Sequence, residues 1–408
     1  MKGLRLRLIP NKLLFQYIAL GISLVFCPAG VFADRFVYPI GNRCTVVSDG
    51  KKDSSFTLPA NHVIVAAVND SLIVENVAAR GRAESDEHPA YFSIPKAFLD
   101  SSSGAPPSLT PLGVTGSFLT TGFELSGRRY KPPLDRVNYL NRSYSGDGRS
   151  MFAGINYFPL SPDNATMTNF LLRYDLRSAT CQSITRSGLM VYSPTPSPDG
   201  QWVAYYGVPF ESRPELYPGR LSDEKLRGMA LCVVRADGGD ERILVPHGAY
   251  NTSAYTKISW SPDGKTLYFE YRPAPTDPWH AIYRVSLDGT GFAKVSGNHS
   301  LAQDPCCSHD GNYLACGVED YVKSEAGQVT VKGGVALIAL QSLDMRLLTD
   351  DCGKRPKISP SGTQIIYNAL SLQKSGAESL WFVDVKTGKG INLTPDRTLS
   401  TDWAFWLE

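Results

Sequence analysis

The chain has 408 residues, with 41 lysines and arginines against 39 aspartates and glutamates, a formal charge of +2 and 42% apolar residues. That length is enough to bury a sizeable core, and the basic residues after the N-terminal segment are scattered among acidic ones, which argues against a nucleic-acid or anionic-membrane track. No later stretch approaches the ~18 uninterrupted apolar residues that a spanning helix needs.

The chain opens with Lys2, Arg5, Arg7 and Lys12, then the apolar run LLFQYIALGISLVF and the small-residue stretch CPAGVFA. This is the pattern of a secretory signal peptide over residues 1–33, with Val31 and Ala33 at the cut and a mature chain from Asp34. Gln16, Gly21, Pro28 and Gly30 dilute the span as a permanent anchor, and Phe26 ahead of Cys27 does not suit a lipid-attachment site. Four basic and no acidic residues leave with this segment, so +2 − 4 gives −2 for the mature protein. No membrane span is expected after cleavage.

Residues 34–137 read as strands and Ser/Gly/Pro-rich loops. HVIVAAVNDSLIVENVA holds strand material, AYFSIP from Ala90 suits a third strand and SLTP from Ser108 a fourth. RFVYPIGNRCTVVSD from Arg35 and the stretch from Leu112 to Val137 stay unassigned, as caps, an extra strand or pieces of a further unit.

From residue 138 to 395 the chain repeats. The turns SGDG, SPDG, SPDG, SHDG and SPSG end at Gly148, Gly200, Gly264, Gly311 and Gly362, spaced 52, 64, 47 and 51 residues apart. Pro fixes one backbone angle, Asp or Ser bonds locally and Gly accepts the left-handed conformation. Each turn feeds a strand-like run such as WVAYYG or TLYFEY, then a third strand such as LCVVRAD or LWFVD, a polar turn and a short fourth strand such as RILV or INLT. A four-stranded antiparallel unit of about 50 residues buries both faces by stacking on copies of itself, and radial stacking makes an all-β propeller.

Five complete units fill 138–395, and TDWAFW near the C-terminus matches the innermost strand of TKISWSPDG without the strands that should follow. The N-terminal region supplies them, so N- and C-terminal strands pair and close the ring. The expected count is six blades, with seven allowed by the unassigned segments, in a single domain over 34–408 whose residues 396–408 form the closing strand. The SPDG-type turns, third strands ending near Asp, RLT-like fourth strands and single terminal strand resemble the TolB-like (WD40-like) β-propellers. The resemblance implies the same ring closed by one C-terminal strand, and a bacterial periplasmic or secreted location.

In each unit the loop between second and third strands is the elaborate one, including the insertion from Gly207 to Gly228 and RPAPTDPWH from Arg272. These loops share one face, which reads as a recognition surface on a rigid frame. Arg213 and Tyr217 in the insertion, with Arg272, Asp277, Trp279 and His280 in the proline-restrained loop, are the candidate binding residues. Trp279 is as well suited to covering blade core. The expected partner is a protein or an envelope glycan.

No G-x-S-x-G, HExxH or Walker pattern is present, and no cofactor or catalytic residue is assigned. His62, His88, His247, His280, His299 and His309 fall in different units and do not make a three-ligand metal set by spacing. The chain therefore reads as a binding or scaffold protein. The alternative is a propeller lyase or hydrolase with a metal or carboxylate site at the central channel. Seven cysteines follow residue 33; one reading bridges Cys306 or Cys307 to Cys316 across a hairpin, and the other leaves them as buried thiols.

Overall fold

The computed structural model describes residues 34–40, 42–68, 71–76, 91–100, 106–112, 123–125, 128–130, 142–156, 169–178, 180–185, 189–208, 229–246, 257–272, 280–324, 328–370, 378–395 and 404–407. Seven four-stranded antiparallel sheets form the blades of a propeller. From inner to outer strand, blade 1 is His62–Val68, Ser71–Asn76, Tyr91–Pro95 and Thr110–Pro111, and blade 2 is Arg142–Tyr144, Ser150–Asn156, Asn169–Asp175 and Cys181–Ser183. Blade 3 is Met190–Pro196, Trp202–Val208, Ala230–Arg235 and Arg242–Val245; blade 4 is Ile258–Trp260, Thr266–Tyr271, Ala281–Ser286 and Ala293–Lys294. Blade 5 is Leu301–Cys307, Tyr313–Lys323, Val329–Ala339 and Met345–Leu347; blade 6 is Lys354–Ile358, Gln364–Leu370, Glu378–Asp384 and Gly390–Asn392. Blade 7 joins the termini, with Phe405–Leu407 innermost, then Arg35–Ile40, Arg43–Ser48 and Lys51–Thr57.

Seven is the larger of the two counts that the repeats allowed. The unassigned segment RFVYPIGNRCTVVSD completes the closing blade, where Arg35, Phe36 and Val37 pair with Leu407, Trp406 and Phe405. The segments from His62 to Pro111 make a blade of their own instead of lending strands to the C-terminus. Blade 1 escaped the repeat count because two residues separate the paired Val68 and Ser71, where later blades carry a tetrapeptide turn. Part of the stretch from Leu112 to Val137 forms a separate hairpin, Phe123–Leu125 with Arg128–Tyr130, beside the outer strand of blade 2.

Alternation along each strand sends side chains to opposite faces, so every blade feeds two apolar layers. Phe36 and Tyr38 pack with Ile366, Leu380 and Phe382 of blade 6. Val37, between them in sequence, packs with Ile64, Leu72 and Val74 of blade 1. The described residues contain seven such clusters, one between each pair of neighbouring blades. The layer between blades 7 and 1 closes the ring.

The recurring turn has one mechanism. The serine hydroxyl donates to the Asp carboxylate two residues on, at 2.6 Å in Ser145–Asp147, Ser261–Asp263 and Ser308–Asp310. The same serine oxygen accepts the backbone N–H five residues on, from Ser150, Trp202, Thr266, Tyr313 and Gln364. Gly264 sits at φ 68°, in the left-handed region, and the four equivalent glycines lie between 66° and 74°. These aspartates hold turns.

Candidate binding face

The turns of the first hairpin lie on one rim of the ring, and the second-to-third-strand loops lie on the other. On that second rim the inner strands of blades 3, 5 and 6 each carry a bulge. Within them Ser193, Asp304 and Arg355 adopt positive φ of 48°, 55° and 52°. Each stands four residues before its turn serine (Ser197, Ser308, Ser359), so the bulge is part of the repeat. Left-handed backbone costs about 1–3 kcal/mol at a non-glycine residue and persists where the surroundings hold it.

For Asp304 and Arg355 the holding groups are ionisable side chains of neighbouring strands. Asp304 N–H donates to Glu270 Oε1 of blade 4 at 2.8 Å, and Asp304 Oδ2 accepts the Arg355 N–H of blade 6 at 3.2 Å. Arg355 Nη1 in turn meets Glu378 Oε2 at 3.0 Å, with Lys354 Nζ 2.7 Å from the other carboxylate oxygen. Glu270 is 4% exposed; burial, then the nearby Asp304 carboxylate, raises its carboxyl well above the ordinary glutamate value. Blade 1 uses a similar staple, as buried Glu75 accepts from Arg142 of blade 2 at 2.9 Å. Glu270, Asp304 and Glu75 bind backbone or arginine of the next blade and so tie blades together, whereas Glu378 holds Lys354 and Arg355 within blade 6. Among the described residues no three His, Cys, Asp or Glu side chains converge as metal ligands. The sequence signal for the acids was available but faint: Glu270 and Glu75 interrupt the otherwise apolar strands TLYFEY and SLIVEN.

Arg272 and His280 flank the paired Tyr271 and Ala281 at the base of the blade 4 loop, so the structure brings these two candidates together. His280 Nδ1 lies 3.9 Å from Glu270 Oε2, and its carbonyl accepts the Ala302 N–H of blade 5. Arg213, Tyr217, Asp277 and Trp279 lie outside the described residues, as do His88 and His247. His62 pairs with Asn76 in blade 1, while His299 Nδ1 is 2.8 Å from Asp320 Oδ2 and His309 occupies its turn. Cys44, Cys181, Cys232, Cys306, Cys307, Cys316 and Cys352 are all free thiols. Cys306 packs between blades 5 and 6 and Cys316 between blades 4 and 5, on opposite faces of their sheet; Cys307 shares the layer of Cys316 without a bond to it.

The most prominent described feature of this rim is a hairpin that the sequence placed only among the elaborate loops. The second and third strands of blade 5 have 11 residues each and stay paired out to Lys323 and Val329. The inner strand stops pairing at Glu319 and the outer strand at Ala336, so the end of the ladder projects past both. Three residues beyond Asp320, at about 3.3 Å each, make a projection of roughly 10 Å. Val322, Val329 and Val331 on it are 45%, 60% and 40% exposed. At its base, Gly333 and Gly334 admit the strand and the Thr349 carbonyl so closely that a Cβ at Gly334 would stand 2.1 Å from that oxygen.

No family model matches the chain, and no curated protein matches it. Many solved structures do. A puromycin hydrolase is similar with a TM-score of 0.53 at 15% identity, covering 89% of this chain and 52% of that one. A puromycin-hydrolyzing peptidase from Mycobacterium tuberculosis gives a TM-score of 0.51 at 14% identity, over 88% of this chain and 53% of that one. This chain thus spans about half the length of each. TolB from Acinetobacter baumannii is also among the similar structures, with a TM-score of 0.46 and 14% identity over 95% of this chain and 70% of that one. At these identities the likeness concerns fold alone, a β-propeller, and the seven blades are read from the sheets of this chain.

Proposed function

We propose that this is an extracytoplasmic binding or scaffold propeller, exported by the segment before Asp34, whose 34–408 portion is a single domain. Its decorated rim docks a protein partner, with the blade 5 hairpin as principal contact and Arg272 and His280 on the adjoining blade beside it. The observation that carries this reading is the exposed valine-bearing ladder held out from a rigid ring. Past Tyr321, whose N–H bonds Ser300, and Gly333, whose carbonyl accepts the Cys352 N–H, the ladder edges offer backbone hydrogen bonds to an added strand, and the exposed valines offer apolar contact. A glycan would find few aromatic platforms on this hairpin, so a protein suits it better. The repeat explains the ring as scaffold, and the staples at Glu270, Asp304 and Arg355 fix the rim to which the hairpin is attached.

The test is recovery of a partner from an envelope extract, followed by titration of the identified, purified partner. Replacing Val322, Val329 and Val331 by Ser should weaken binding by about 10-fold or more, as loss of central apolar contacts does. Lys265→Glu, on the opposite rim, should leave it unchanged. Equal affinity for the triple variant, with its fold intact by circular dichroism, would overturn the reading.

A further inference from the structure

The outer half of the layer between blades 6 and 7 is open. A cleft of about 340 Å³ lies there, lined by Tyr38, Arg43, Thr45 and Lys52 of blade 7 and by Leu393 and Thr394 of blade 6, among others. None of its lining residues is acidic. Its volume falls within the ~300–1,000 Å³ typical of small-molecule sites.

The internal repeat shows why the space exists. Phe36, opposite the inner-strand Trp406, corresponds to Leu267 opposite Trp260 in blade 4. Carrying the register outward sets Ile40 against Tyr271 and Thr45 against Tyr283. Lys52, paired with Val47, then takes the place of Phe292, which follows in register from the Arg284–Ala293 pair. In blade 4 these three aromatics pack together, with Tyr283 and Phe292 stacked at 5.1 Å and Tyr271 5.3 Å from Tyr283. Tyr271 and Tyr283 pack in the layer that faces the preceding blade, and Phe292, 45% exposed, stacks over them. Blade 7 replaces this aromatic plug with an aliphatic residue, a hydroxyl and an ammonium. Its short connection between Ile40 and Arg43 provides no long loop to cover the gap.

We propose that this cleft is a binding site for a small hydroxylated organic anion of about the size of a sugar acid. Arg43 and Lys52 supply the positive charge, and the guanidinium suits a planar carboxylate through paired N–H donors. Arg43 Nη2 is already oriented by a 3.1 Å bond to Ser55 Oγ. The hydroxyls of Tyr38 and Thr45, which hydrogen-bond each other, and that of Thr394 serve ligand hydroxyls, and Leu393 packs against the ligand's carbon skeleton. Thr394 Oγ1 accepts the Leu380 N–H at 2.9 Å. The site is separate from the hairpin and does not depend on a protein partner.

Calorimetric titration with glucuronate, glucose and inorganic phosphate tests the assignment. Glucuronate should bind in the millimolar range or tighter, and glucose and phosphate at least about 10-fold more weakly. Arg43→Gln, a change at an exposed side chain, should lower glucuronate affinity about 10-fold. The paired change Thr45→Tyr with Lys52→Phe, which rebuilds the aromatic plug, should abolish binding while keeping the native unfolding midpoint or raising it. Equal binding of glucose would overturn the role of charge, and equal binding of phosphate the organic-anion assignment. Absence of glucuronate binding, or binding unaffected by Arg43→Gln, would overturn the site itself.

Discussion

Replacing Trp406 by Ala perturbs the ring where its two termini meet. The indole N–H donates to the Lys357 carbonyl of blade 6 at 3.1 Å, and the ring meets Phe36 edge-on at 5.0 Å. Trp260 makes the equivalent bond to the Thr195 carbonyl at 3.0 Å, which marks the contact as a feature of the repeat. A fully buried Trp→Ala change costs about 3–5 kcal/mol; Trp406 is half-buried, so about half of that applies. The lost hydrogen bond adds about 1 kcal/mol and the aromatic pair about 0.5–1.5 kcal/mol, although both overlap with the packing term. The total is roughly 3 kcal/mol. With a urea m-value of about 3 kcal/mol/M, the midpoint should fall by about 1 M. Ile391→Ala on the outer strand of blade 6, 47% exposed, is the reference and should cost less than about 0.5 kcal/mol. Urea unfolding followed by tryptophan-independent circular dichroism makes the comparison. Equal midpoints for the two variants would refute the closure by Phe405–Leu407.

Two further substitutions test the turn and the staple. Gly264→Ala should destabilise by about 1–2 kcal/mol through backbone conformation alone, since an added Cβ meets nothing within 4 Å; an unchanged urea midpoint would contradict the left-handed turn. Glu270 carries a raised carboxyl value, so the native state keeps a proton that the unfolded chain releases above the ordinary 4.5. Its contribution to stability is present below that pH and is lost as pH rises toward the native value. Glu270→Gln keeps an oxygen for the Asp304 N–H and removes this loss, so the variant should gain stability over the parent progressively above about pH 4.5. A difference independent of pH, read from unfolding midpoints between pH 4 and 8, would show that Glu270 is ionised in the fold.

The blades with tetrapeptide turns were legible because Ser, Asp and Gly each have a fixed task there, and five copies at similar spacing leave little freedom. Blade 1 was obscured by its two-residue connection, and blade 7 by the division of its strands between Arg35–Thr57 and Phe405–Leu407. The inner-strand match of TDWAFW to TKISW was readable because the tryptophan has a specific carbonyl to reach. The left-handed Asp304 and Arg355 were not: nothing local demands positive φ, and bonds from neighbouring blades hold them. Likewise, loop length marked the decorated face, whereas the projection of Val329 and Val331 follows from where the flanking strands stop. The cleft beside Thr45 and Lys52 required register, since its origin is a comparison of equivalent positions in two blades.

The most direct test of the binding face is site-specific photo-crosslinking in an envelope extract, with the reactive side chain placed at Val329, at Arg272 or at Lys265 on the opposite rim. Val329 should give a discrete adduct with one protein, Arg272 a weaker adduct with the same protein and Lys265 none. An adduct from Lys265 as strong as that from Val329, or no adduct from Val329, would contradict docking on the hairpin face.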